Sequence, residues 1–236
     1  MSDQNDTKNY RRLRKAIGGL GFALPALLLI FSLIPFFETP FQHSISHYYY
    51  TNLREMFTGA LCAVGLFLVS YQGQANQEGS RSPWWKNDNL LTNISGVMAL
   101  GVAFVPTNAE KDVEKVYTLI PWSNNLIGWF HYGFAAILFI AFAIMSIYAF
   151  TIGQKDNEDI PVSVINENHI YKACGYAIFV CIALVPVCAV LKISSYSTLV
   201  LEALSLFAFG ISWLVKGRAL GDKGVIGQKV YREFNA

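Results

Sequence analysis

Charged residues are so thinly spread along this chain that the gaps between them set what it can fold into. Ala16 to Phe37, Met56 to Gln77, Asn89 to Ala109, Val116 to Gln154 and Ala173 to Leu191 contain no Asp, Glu, Lys or Arg, and Thr198 to Val215 contains only Glu202. A membrane-spanning helix takes roughly 20 predominantly apolar residues. Each gap meets or approaches that length, and the long fourth one is broken by Pro121, Ser123, Asn124 and Asn125. The pattern predicts an all-α fold, a polytopic bundle of six transmembrane helices at about 16–37, 55–72, 90–106, 126–152, 172–191 and 198–216. Residues 1–236 read as one domain without internal repeats.

The composition agrees. Charged residues make up 14% of the chain, against roughly a quarter in a soluble domain. A net charge of +2 gives no electrostatic footprint for nucleic acid. Lys and Arg concentrate on cytoplasmic loops of membrane proteins. With the N-terminus inside, fourteen of them fall on the cytoplasmic side, and four, Arg54, Lys111, Lys115 and Lys192, fall on the other. That predicts both termini inside. Trp84, Trp85, Tyr171 and Trp213 suit the inner interface; Tyr48, Tyr49, Tyr50, Trp122 and Trp129 suit the outer one. Pro25, Pro106 and Pro186 are expected to kink or end their helices. Cys62, Cys174, Cys181 and Cys188 all lie inside predicted helices, without a CxxC spacing, and read as small packing residues.

No GxSxG, HExxH, Walker A loop or GxGxxG occurs. Polar groups at membrane depth are costly, so they are the functional candidates. The predicted topology gathers His47, Tyr48, Arg54, Glu55, His131 and Glu202 in the outer third of the bundle, while the inner half has fewer such groups. This set has several readings. In one, the groups are structural ties: Arg54 pairs with Glu55 or Glu202, and His131 bonds to a carbonyl or a tyrosine. In another they line an outward-facing pocket that binds a membrane lipid or small amphiphile without catalysis or cofactor. A third is a zinc-dependent hydrolase of a lipid amide or ester, with His43, His47 and His131 as ligands and Glu55 or Glu202 as base. A proton- or ion-coupled transporter using Glu202 and His131 is a further alternative.

The run Ser44-Ile45-Ser46-His47-Tyr48-Tyr49-Tyr50-Thr51, followed by Arg54, Phe57, Gly59, Leu61, Cys62 and Ala63, resembles an uncharacterised family of bacterial multi-helix integral membrane proteins. The resemblance continues at Gly101–Thr107, His131, Tyr171–Gly175, Glu202 and Ala208–Gly217. It implies a bacterial cytoplasmic (inner) membrane as the location. More distantly, the Ser-Ile-Ser before helix two and the Glu opening the last helix are similar to DRAM-type lipid-associated membrane proteins, which implies a connection to lipid. A three-histidine zinc site is similar to that of the alkaline ceramidase-like hydrolases, but helix six here carries no histidine.

Overall fold

The computed structural model describes residues 2–73, 83–109, 118–120, 125–151, 167–221 and 230. Several positions of the sequence reading lie outside these, among them Arg81, Lys111, Lys115, Trp122, Lys155, Lys223, Lys229 and Arg232. The described residues form six α-helices and no strand: α1 (Ser2–Phe31), α2 (Arg54–Ser70), α3 (Asp88–Phe104), α4 (Asn125–Ile144), α5 (Glu167–Leu191) and α6 (Ser197–Lys216). Four stretches, Asn9–Phe31, Leu126–Ala149, Glu167–Leu191 and Ser197–Lys216, are long and apolar enough to cross a membrane. The protein is therefore read as a membrane protein. α2 and α3 have 17 residues each. At 1.5 Å rise they reach about 26 Å, a little under the roughly 30 Å hydrocarbon thickness.

Helix limits follow local chemistry. α1 ends at Phe31 because Ser32–Ile34 turn ahead of Pro35, whose ring fixes the following 3-10 turn Pro35–Phe37. Glu38 then takes a left-handed conformation (φ 46°) that turns the chain back. α3 starts on an Asn87 cap, whose side chain accepts the Leu90 N–H, and stops two residues before Pro106. Pro25 and Pro186, expected as kinks or ends, lie inside helices that continue through them. α4 passes at Met145–Ala149 into a π-helical turn, where Ser146 meets Ser212 of α6 at 3.0 Å with both hydroxyls buried.

The helices close a ring in sequence order, each packed on the next, and α6 returns to α1. The closing seam is built on glycine. A Cβ at Gly18 would lie 2.6 Å from the Leu214 nitrogen and 2.9 Å from the Gly210 carbonyl; one at Gly210 would lie 2.7 Å from the Phe22 nitrogen. Backbones can approach this closely only where no side chain intervenes, and in lipid such packing supplies much of the association energy. Large aromatics fill the ring: Phe142 stacks on Phe209 at 3.7 Å, and Trp213 is fully buried among Tyr71, Phe150 and Phe209. Trp213 and Tyr171, expected as interfacial anchors, are thus core residues, and so are Tyr48 and Tyr49. Trp84, Trp85 and Trp129 are exposed.

One end of the ring is covered by residues 38–53, including the 3-10 turn Ser46–Tyr50; this is the capped end. The other, the terminal end, carries the start of α1 and the end of α6.

Candidate functional site at the capped end

Residues 38–53 are held across the ring by bonds to α4, to α6 and to residues that follow α1 and α3. Tyr48 O–H meets Ser32 Oγ, beyond the end of α1, at 2.7 Å. The Tyr50 hydroxyl donates to the Thr107 carbonyl, beyond α3, at 2.5 Å. From α6, Leu199 N–H donates to the His43 carbonyl at 3.0 Å. The Glu202 carboxylate accepts the Ile45 N–H at Oε2 (2.7 Å) and a backbone bond from Ser46. Glu202 therefore caps the 3-10 turn from another helix, placing a carboxyl acceptor where unpaired N–H groups gather. Burial pushes the Tyr48 and Tyr50 phenols above their ordinary range, so both remain neutral hydroxyls.

His131 of α4 is 1% exposed. Its Nδ1–H donates to the Val105 carbonyl at 2.6 Å; in the neutral ring Nε2 is then an acceptor, and the Ser46 hydroxyl donates to it at 2.9 Å. His47 is a neighbour of His131. Its Nε2–H donates to the Asn108 carbonyl at 3.3 Å, and its Nδ1 accepts the Ser44 hydroxyl at 2.9 Å. His43 packs against the Tyr196 ring at 5.4 Å. The three histidines of the zinc alternative are thus engaged separately, with both His131 nitrogens occupied. Among the described residues, no group of three His, Cys, Asp or Glu side chains is placed to hold a metal ion.

Of the residues singled out in the sequence, His47, Tyr48, His131 and Glu202 come together here. Arg54 sits 4.4 Å over the Tyr49 ring and donates to its hydroxyl at 3.0 Å. Glu55 is exposed on the outside of α2. Most of the polar atoms here bond to one another or to backbone.

Below this network lies a small internal cavity of about 20 Å³, with Glu202 in its wall and otherwise almost wholly apolar lining from α1, α2, α3, α4 and α6, including Leu24, Phe57, Val102 and Phe139. That is room for about one water molecule.

A second polar cluster, at the terminal end, escaped the sequence reading. Arg14 donates from Nε (3.0 Å) and Nη2 (2.8 Å) to the Tyr71 hydroxyl, which donates to Asp88 Oδ2 at 3.2 Å. Lys216 Nζ donates to the Phe150 carbonyl at 3.0 Å and lies 5.3 Å from that ring's centre. Asp88 opens α3, Lys216 closes α6 and Arg14 lies just before the first uncharged run, where a charge reads as a boundary or a topology signal. Only the fold shows that Arg14, Asp88 and Lys216 turn inward.

Comparison with family models, with curated proteins and with solved structures finds no match for this chain.

Proposed function

We propose that this is a protein of a bacterial cytoplasmic membrane, crossing it six times with both termini inside, and that its capped end holds a site for a lipid or small amphiphile, bound without chemistry. The distribution of Lys and Arg supports the orientation. α2 and α3, though short, sit in the same ring as four helices of spanning length, and the interleaved contacts at both ends alternate the helix directions.

The binding reading is supported by Glu202, an acidic residue lining an almost wholly apolar cavity inside the ring. An ionised carboxylate has about four acceptor positions, and two backbone donors leave room for another. A ligand with one donor or cationic head and an apolar tail matches that wall, whereas an anionic head meets repulsion. The cover over the cavity is held by these hydrogen bonds and by the burial of Ile45, Tyr48, Tyr49 and Leu53 in the core.

Two experiments test the reading. In a background with all four cysteines replaced by alanine, cysteine at exposed Ser195, between α5 and α6, should react with an impermeant maleimide added outside intact cells. Cysteine at exposed Lys86 should react only after the membrane is opened. The reverse pattern inverts the protein and removes the outward site. For the ligand, purified protein should bind octadecylamine saturably, and Glu202→Gln should weaken binding by roughly ten- to a hundredfold, as expected on losing one charge-assisted hydrogen bond. Stearic acid should not compete. Equal binding by both proteins removes Glu202 from the site.

A further inference from the structure

The ring is not equally tight all round. On α4, Ala143 meets α5, and Tyr132, Ala136 and Phe139 share its helix face by their four-three-four spacing. Ala143 is fully buried and Phe139 nearly so, but Ala136 is exposed and Tyr132 is 41% exposed. The matching face of α5 behaves alike. Gly175 is buried, and a Cβ there would lie 2.9 Å from the Ala143 carbonyl and collide with Ile147; Phe179 and Ile182 are half-buried; Pro186 and Ala189 are exposed. The two helices therefore touch in the half toward the terminal end and stand apart in the half toward the capped end. α5 keeps its other neighbour further outward: Cys181 is buried where it meets Ser205 of α6.

Behind this cleft lies the Glu202 cavity. Phe139 belongs to both, since it lines the cavity and sits on the α4 face turned to α5.

We propose that the cleft between α4 and α5 is a lateral portal through which a long-chain cationic amphiphile passes from the outer leaflet to Glu202, with Phe139 as the gate. This rests on the binding reading above and adds the route and the ligand class. Both faces of the cleft are apolar, Tyr132 apart, and suit an acyl chain. The carboxylate beyond the gate suits an ammonium head, and the cover at the capped end blocks approach from the water. A lateral path also lets the tail remain in lipid while only the head moves inward.

The test is the time course of photolabelling of the purified protein, in lipid nanodiscs, by octadecylamine carrying a diazirine. Ala136→Trp fills the cleft from an exposed position that should tolerate it, and should slow labelling roughly tenfold with an unchanged plateau, because a narrowed route alters rates and not equilibrium. Phe139→Ala should speed labelling. Ile137→Trp, on the exposed face of α4 turned away from α5, should do neither. If Ala136→Trp and Phe139→Ala leave the rate unchanged while Glu202→Gln abolishes labelling, the amphiphile enters elsewhere: the portal is wrong and the binding reading stands. A lower plateau in Ala136→Trp at an unchanged rate places the ligand itself in the cleft and also overturns the portal. No saturable labelling of the unaltered protein removes the binding reading, and the portal with it.

Discussion

Gly210→Val should lower the thermal midpoint of the detergent-solubilised protein by about 10 °C, the largest loss expected from a single substitution in this ring. The two γ-carbons of valine would enter a space already closed to its β-carbon, 2.7 Å from the Phe22 nitrogen and 2.9 Å from the Gly18 carbonyl. Those neighbours are backbone, so no rotamer change relieves the clash, and α1 and α6 must separate along their seam. Overpacking that side chains can absorb costs about 1–3 kcal/mol; backbone against backbone belongs at the top of that range or above it. At roughly 2–4 °C per kcal/mol for a chain of this size, the stated shift follows. In lipid the loss is not offset by a hydrophobic effect between helices. Gly59→Val is the control: a Cβ at Gly59 meets nothing within 4 Å, and its midpoint should stay near that of the unaltered protein. Equal midpoints for the two variants would contradict the tight α1–α6 seam.

Glu202→Ala should release the cover at the capped end. It strips the acceptor from the Ile45 N–H and from the Ser46 backbone bond, which no other group within the turn replaces. Leaving a buried N–H unsatisfied costs about 1–3 kcal/mol. With two donors affected, the local opening free energy should fall by roughly 3 kcal/mol, which at the Ile45 and Ser46 amides is an exchange rate on the order of a hundredfold faster. Proteolysis near exposed Phe41 should accelerate in parallel. Glu202→Gln keeps one carbonyl acceptor without the charge and should fall between. Glu55→Ala, on the outside of α2, should leave both readouts unchanged. Exchange at Ile45 as slow in Glu202→Ala as in the unaltered protein would mean that the carboxylate does not hold the turn.

The helices were legible because the uncharged runs have no other stable fate, and their limits went astray for local reasons. α1 stops at Phe31, not at Phe37, because Pro35 fixes a turn inside a run that is apolar throughout. The π turn at Met145–Ala149 has no signature in its own residues; it accompanies the meeting of Ser146 with Ser212 across the ring. The site was legible in part. Glu202 and His131 stood out as polar groups inside apolar runs, and the fold brings both to residues 44–48. What composition cannot give is the use made of them. The sequence shows costly groups but not their partners, so an open pocket and a network closed on itself look alike. The terminal-end cluster was hidden for the opposite reason: Arg14, Asp88 and Lys216 lie where charges are ordinary, and only packing turns them toward Tyr71 and Phe150.

Glu202 is proposed to receive the head of an amphiphile beneath the cover at the capped end. A cryo-electron-microscopy structure of the protein in nanodiscs, saturated with octadecylamine, decides this. The ammonium nitrogen should lie about 2.8 Å from a Glu202 oxygen, the distance of a charge-assisted hydrogen bond, with the Phe139 ring swung aside and the chain running out between α4 and α5. An amine bound elsewhere, with Phe139 in place and the cavity still water-sized, would contradict it.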